Sequence, residues 1–268
     1  MISGWLGNLG RMVPVYSTPG MSISKELPRT YDTTLGGRRF VRSAPKGHRE
    51  WPLSAEGGFA NELAAVQMFA DGAWGDGPFW WLSPWAVGVN VLTPGGSVLK
   101  YADRSGGTVA GPVQASDGTW FPSSVVSGAG GVNGVARGFA RNYVAVPRGV
   151  TYTASLYVSA GQQVRVNEYD STLGSALASR TSPAATGAGL SRVSVTAVAT
   201  ASTDALRLDV LGAGTCAGAA ISLTPSLAPW GVGDGCAEAV VDTVSLDVSV
   251  VNRRGWAGQS FTIREVGG

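Results

Sequence analysis

The sequence holds a single histidine, His48, and two cysteines, Cys216 and Cys236. A zinc site needs about four Cys, His or carboxylate ligands at suitable spacing, and these three residues do not supply one. No metal or cofactor is expected. A Ser/His/Asp triad would have to use His48 in "PKGHREW", and no Gly-x-Ser-x-Gly elbow stands at a strand–helix turn. Charge is sparse as well: Asp, Glu, Lys and Arg make up 14% of the chain, against about 25% in ordinary globular proteins. With 20 basic and 18 acidic residues the net charge is +2, far from the dense basic face that nucleic-acid binding requires. No apolar run reaches the roughly 18 residues of a membrane-spanning helix. The start, "MISGWLGNLGRMVPVYS", lacks a basic stretch followed by a long apolar one, so synthesis in a cytoplasm without a signal peptide is expected. In that setting Cys216 and Cys236 fit either a disulfide or two separate buried thiols.

Glycine is abundant, with 39 residues, and 44% of the chain is hydrophobic. Such a composition can fill a core and points to β-structure with many turns rather than to helices laced by ion pairs. Before residue 54, "GMSISKE", "RRFVRSAP" and "HREWPL" read as short strands, the last ended by Pro52, with "LGGRR" as a hairpin-like turn. Residues 54–71, "SAEGGFANELAAVQMFAD", read as the one clear helix. Ser54 would cap it, its apolar face would be Phe59, Leu63, Val66 and Met68/Phe69/Ala70, and its start would lie nearer Phe59 because Gly57 and Gly58 weaken the first turn.

The stretch "GAWGDGPFWWLSPWAVGVNVLTP", Gly72–Pro94, contains four of the nine tryptophans. Consecutive Phe79, Trp80 and Trp81 put bulky rings on both faces of a short strand. That strand is domain core, a subunit seam, where aromatics are enriched, or, as the least favoured reading, a ligand platform. After Asn90 the aromatics thin out. Val150–Ala160, Gln162–Ser171, Ser191–Ala201, Asp204–Gly212 and Gly218–Pro225 alternate in the manner of strands, which suggests an antiparallel sandwich. A Pro/Gly-rich link, residues 226–239, precedes two further strand candidates.

The order "NVLTPGGS", "VAVPRGVTYTASLYVSA", "VRVNEYDSTLG", "LSRVSVTAVATASTDALRLDVLG", "AAISLTP" resembles the jelly-roll carbohydrate-binding modules of glycoside hydrolases, of galactose-binding-like fold. The whole chain is similar to minor or distal tail proteins of siphophages infecting actinobacteria. The carrying residues are "GWLGNLGRMVPVYSTPGM", "LGGRRFV", "GHREWPL", "FADGAWGDGPFWWLSPWAVGVNVLTP", "PWGVGDGCAEAVV" and "SFTIREVG". The resemblance implies a mainly β chain: a discontinuous β-sandwich or barrel tail domain with one helix, 1–89 and 228–268, and an inserted antiparallel jelly-roll β-sandwich, 90–227. The last strands would return to the first domain and finish its sheet, since an open edge is a liability. "SPWAVGVN" and "LAPWGVGDG" would form a two-stranded neck in which Trp85 packs near Trp230. The resemblance further implies a homo-oligomeric, most simply hexameric, ring at the virion tail tip. Its partners would be tail-tube, tape-measure or baseplate proteins, and it would be a structural part rather than an enzyme. The carbohydrate-binding family often holds a calcium through an acid in its last strand; "GAAISLTP" offers none, so no calcium is expected.

Such modules hold sugars by stacking aromatics on apolar sugar faces. The aromatic candidates are Tyr101, Trp120, Phe121, Phe139, Tyr143, Tyr152, Tyr157 and Tyr169. Trp120, in the turn-rich "DGTWFPSS", is the expected exposed platform, and Tyr152 the expected core residue. Arg141 and Asn142 beside Tyr143 would supply hydrogen bonds. Two alternatives stand beside the tail-tip scaffold: an adsorption protein recognising host cell-wall glycan, and, behind it, a cell-envelope glycoside hydrolase. The latter needs paired carboxylates. Glu168 and Asp170 share a face at i, i+2, though a solvated strand end is the plainer reading; Asp71/Asp76 and Asp242/Asp247 are weaker pairs. The Gly-rich "SGAGGVNGV" lacks a Walker lysine and reads as a loop.

Overall fold

The computed structural model describes residues 2–17, 24–26, 29–34, 37–43, 48–100, 106–136, 142–251 and 254–266. The chain is mainly β and its described strand pairings are antiparallel. It opens with β1 (Ile2–Asn8), β2 (Arg11–Ser17), β3 (Ser24–Glu26), β4 (Arg29–Thr33), β5 (Arg39–Ser43), β6 (His48–Phe59) and helix α1 (Ala60–Ala70). Strand β7 (Phe79–Leu82) and the short helices α2 (Pro84–Val89) and α3 (Pro94–Ser97) follow. Next come β8 (Gly107–Ala110), β9 (Val113–Gln114), β10 (Trp120–Phe121), β11 (Ser124–Ser127), β12 (Tyr143–Ala145) and β13 (Thr151–Val158). Then come β14 (Gln163–Tyr169), β15 (Ala178–Thr181), β16 (Ser191–Val198), β17 (Ala205–Leu211) and β18 (Gly214–Ser222). The chain closes with β19 (Cys236–Val251) and β20 (Arg254–Glu265). It divides into two compact units: Met1–Ser3, Val15–Phe79 and Glu238–Gly268 form the first, Gly4–Pro14 and Trp80–Ala237 the second.

In the first unit β19, β20, β6 and β3 lie side by side in that order. Strand β20 pairs with β19 over nearly its whole length and with β6 from Arg264↔Glu50 to Trp256↔Phe59. Strand β6 is longer than the sequence suggests. Trp51, Leu53 and Ala55 are buried while the residues between them face outward, a period-2 pattern that runs past Ser54 into the stretch read as helix. Pairing with β20 extends it, and Gly57 and Gly58 have poor helix propensity, so the helix begins only at Ala60. Pro52 does not end the strand. It stands just beyond the residues that β3 pairs, His48–Glu50, where a missing N–H breaks no ladder on that side. Helix α1 buries Val66 and Phe69. The Phe69 ring meets Trp74 and Phe79 edge-on, at centroid distances of 4.6 and 4.7 Å. Arg49, almost buried, forks onto Glu265 with Nε and Nη2 at 2.9 and 3.1 Å.

The second unit is a two-sheet sandwich. One sheet has the order β16-β13-β18-β11-β8, the other β12-β17-β14-β15. Their inward positions form one core: Tyr152, Ala154, Leu156 and Val158 from β13 meet Val164 and Val166 from β14 and Leu206, Leu208 and Val210 from β17. At one end β1 pairs with β7, setting Leu6 opposite Trp81 and Gly7 opposite Trp80. Phe79, Trp80 and Trp81 are 2%, 0% and 0% exposed, so all three are buried within the chain itself. A Cβ on Gly4 would lie 2.4 Å from the Trp81 ring; only glycine lets the backbone pass there.

The expected boundaries at Val89–Asn90 and near Leu227 do not coincide with the compact units. "SPWAVGVN" is no neck strand: Ser83 caps α2 by accepting from the Ala86 N–H, with Pro84 at the first helical position. Ser83 also donates to Asp234 at 2.8 Å, and Val87 accepts from the Leu223 N–H, tying both flanks into the sandwich. The "NVLTPGGS" segment is not a strand either, because Thr93 caps α3. Its Asn90 is fully buried and fully used. It accepts from the Leu92 and Ile221 N–H groups and donates to the Ala219 and Gly231 carbonyls.

Candidate functional site

Side chains alternate across a sheet, so one face of the four-stranded sheet looks into the core and the other looks out. The register builds the outward face. Tyr143 stands opposite Arg207, Arg207 opposite Asn167, and Asn167 opposite Ser179, giving a row across all four strands. The adjoining row is Asp209, Arg165 and Thr181. Tyr169 follows on the other side, opposite Ala205.

Asp209 organises this face. Although it points outward, its carboxylate is wholly buried. It accepts from the Gly134 N–H at 2.7 Å, from Arg207 Nε and Nη2 at 2.9 and 3.1 Å, from Arg165 Nη2 at 3.0 Å and from Asn167 Nδ2 at 2.5 Å. A buried carboxylate persists only when paired and hydrogen-bonded, and two guanidiniums, an amide and a backbone N–H meet that condition. Asn167 in turn accepts from Ser179 at 2.6 Å. The Arg207 guanidinium lies 5.3 Å from the Tyr169 ring and 5.9 Å from the Tyr143 ring, within cation–π reach. The two tyrosines meet edge-on at 5.0 Å. Burial alone would lower the Arg207 pKa, but hydrogen bonding and attraction to Asp209 outweigh it, and the net shift is upward. Burial raises the Tyr169 phenol. The outcome is a fixed set of planar donors beside two aromatic rings, with Arg165 and Arg207 side chains 33% and 22% exposed. Polar groups held rigidly next to aromatic surface are what selective small-ligand sites offer.

Of the expected sugar-contacting residues, Tyr143 and Trp120 lie on different sheets. Tyr143 belongs to this face and is half-buried. Arg141, like Tyr101 and Phe139, lies outside the described residues. Trp120 is elsewhere, on the β9–β10 hairpin opposite Gln114, and is 64% exposed. The hairpin is anchored to the five-stranded sheet. Phe121 packs against Tyr157 at 4.9 Å, and the Tyr157 hydroxyl donates to Asp117 at 2.8 Å. Turn bonds from the Thr119 backbone and side chain, and then the Tyr157 bond, hold the Asp117 carboxyl below its usual pKa. Trp85 is 61% exposed, while Trp230 turns inward, edge-on to Phe121 at 4.8 Å, and donates to the Ala219 carbonyl; the segments that carry them meet at Asn90, which bonds to Gly231 and Asp234.

The carboxylate pairs have other duties. Glu168 is not a solvated strand end: it points into the core with no exposure. It accepts from the Tyr152 hydroxyl at 3.1 Å and from the Thr200 N–H and Thr203 hydroxyl, each at 2.9 Å. Asp170 falls beyond the end of β14 and accepts from Thr172, so the two carboxylates do not flank a common cleft. In the first unit Asp71 and Asp76 line an open cleft of about 280 Å³ with Phe69, Phe79 and Val240. Asp242 pairs with Arg264 at 2.9 Å; the Asp247 side chain lies outside the described set. His48 is exposed. Cys216 and Cys236 are buried and form no disulfide, and burial pushes the Cys216 thiol up to about 12.

Sequence reading missed Arg165, Asn167, Arg207 and Asp209. The signal was present in "QVRVNEY" and "ALRLDVL", two neighbouring strands that each alternate aliphatic with polar residues. Alternation fixes one polar face per strand. Only the register reveals that the two faces merge.

No protein-family model matches the chain, and no curated protein is similar to it in sequence. Among solved structures it is similar to the enzymatically active domain of bacteriophage CBA120 tailspike protein 4, at 14% identity and TM-score 0.39, over 53% of this chain and 22% of that one. It is similar to the CBM22-1-GH10 modules of Clostridium thermocellum endo-1,4-beta-D-xylanase 10B complexed with xylohexaose, at 12% identity and TM-score 0.34, over 54% of this chain and 30% of that one. A third is the carbohydrate-binding module CBM6cm-2 of Cellvibrio mixtus lichenase 5A in complex with cellotriose, at 14% identity and TM-score 0.34, over 51% of this chain and 99% of that one. The aligned part thus spans under a third of the first two proteins' lengths.

Proposed function

We propose that the chain is a non-enzymatic component of a phage tail tip that presents a glycan-binding sandwich to the host cell wall. One observation carries the glycan part of this reading: the outward face of the four-stranded sheet, where buried Asp209 fixes Arg165, Asn167 and Arg207 beside Tyr143 and Tyr169. Sugar hydroxyls need donors and acceptors already in place, because a flexible site loses affinity to ordering. The tail placement rests on the similarity of "GAWGDGPFWWLSPWAVGVNVLTP" and its companion motifs to actinobacterial siphophage tail proteins. In that setting the first unit assembles a homo-oligomeric ring, hexameric in its simplest form, and contacts tube, tape-measure or baseplate proteins.

The test uses the purified full chain. Co-sedimentation with isolated actinobacterial cell walls measures binding, and light scattering with negative-stain imaging measures assembly. Wall binding that drops about tenfold in Tyr143→Ala, together with rings of several copies, is the expected result. A monomer that binds walls through the same face would shift the reading to a free adsorption protein. Loss of wall binding in Trp120→Ala, with Tyr143→Ala unaffected, would move the glycan site to the hairpin on the other sheet. A hydrolase would need Glu168, whose carboxylate is enclosed by three core donors.

A further inference from the structure

The outward face of the four-stranded sheet is not electrically balanced. Among its described residues Arg165 and Arg207 contribute two positive charges and Asp209 one negative, leaving +1. No other described carboxylate offsets it. Glu168 is on the opposite face, Asp170 belongs to the turn after β14, and Asp204 is engaged by Arg148 at 2.6 Å. The remaining neighbours, Tyr143, Tyr169, Asn167 and Ser179, are neutral.

The donors are also only partly committed. A guanidinium carries five N–H groups in a fixed fork. Arg207 uses Nε and Nη2 on Asp209 and also meets the Tyr143 side chain, and Arg165 uses Nη2 on the same carboxylate and, at 3.5 Å, on Asn133 Oδ1. Each fork carries more N–H groups than Asp209 accepts, and both side chains reach solvent. Asp209 holds both forks from below, and the Tyr143 and Tyr169 rings flank that of Arg207. Hydroxyls of a neutral sugar would gain little from paired guanidiniums over amides. A carboxylate or phosphate gains short, charge-assisted bonds that are about twice as strong.

We propose that the glycan taken by this face carries an anionic group, a carboxylate or a phosphate, which seats against Arg165 and Arg207 next to Tyr143. The inference rests on the reading of this face as a glycan site, and the experiment separates the two. Calorimetric titration of the full chain would use three probes: an oligogalacturonate, a poly(glycerol phosphate) fragment and neutral cellotetraose. The expected result is that one anionic probe binds at least about tenfold more tightly than the neutral one, with affinity that falls as salt is raised. Whichever anionic probe wins identifies the group. Arg165→Gln should weaken the anionic probe about tenfold and the neutral one by a much smaller factor, and Arg165→Lys, which keeps charge but not the fork, should fall between for the anionic probe. A melting curve for each variant confirms folding. Equal or stronger binding of cellotetraose, abolished by Tyr143→Ala, would overturn the anionic assignment and keep the glycan site. Failure of all three probes, or binding indifferent to Tyr143→Ala, would overturn both.

Discussion

The four-stranded sheet buries one carboxylate on each face, and the two are treated differently. Glu168, on the inner face, is met by neutral donors: two hydroxyls and a backbone N–H, with Arg180 standing off at 3.8 Å. Its partners Tyr152 and Thr203 are themselves completely buried, and Tyr152 belongs to the opposing sheet. Asp209, on the outer face, is met by two arginines that keep contact with water. The inner carboxylate ties the two sheets together; the outer one arranges a surface. A buried acid is therefore no marker of function by itself. What surrounds it, and whether those groups still face solvent, separates an acid that fastens a core from one that arranges a surface.

The largest effect should follow Glu168→Ala. Its three donors would lose their acceptor inside the core, at a cost of about 3–5 kcal/mol, read from denaturant midpoints. Asp209→Ala should cost less, about 2–3 kcal/mol, because the freed guanidiniums recover water. Equal losses, or a larger loss for Asp209→Ala, would erase the distinction between the faces. Tyr152→Phe removes one donor to Glu168 and should cost about 1–2 kcal/mol.

It should also change the response to pH. Burial first, then the Glu168 carboxylate, push the Tyr152 phenol well above its ordinary value of 10.0. The folded state therefore holds this proton more tightly than the unfolded state. The stabilisation is complete below about pH 10 and is lost above it, at up to about 1.4 kcal/mol per pH unit. Tyr157, Tyr169 and Cys216 are raised too, so the diagnostic quantity is the shallower slope of Tyr152→Phe against the parent chain. The smallest effect belongs to Trp120, the exposed ring of the hairpin. Trp120→Ala should change stability by no more than about 0.5 kcal/mol, whereas Phe121→Ala, one residue on and facing inward, should cost about 3–5 kcal/mol.

Much of this was legible in the residues. The alternation in Thr151–Val158, Gln163–Tyr169 and Ala205–Leu211 marked strands and inward aliphatics, and Phe79–Trp81 was marked as buried aromatic strand. Ser54–Phe59 misled because "SAEGGFANEL" carries helical spacing, while the partner that holds its first half as strand, β20, comes about 200 residues later. Trp85 and Trp230 misled in a similar way: two Pro-Trp pairs look equivalent in sequence, yet only Trp230 finds a pocket, against Phe121.

The sequence by itself determined the β class and the inward and outward positions of the sandwich strands, because these follow from local periodicity and the cost of exposing apolar surface. Only the tertiary structure decided which outward residues meet. Tyr143, Asn167 and Arg207 lie far apart along the chain, and their row exists because the strand register aligns them. The same holds for the fates of Glu168 and Asp209. Each is a lone acid in an alternating strand; Arg207 apart, which sits two residues from Asp209, the donors that make one a fastener and the other the base of a surface arrive from segments that no local pattern specifies.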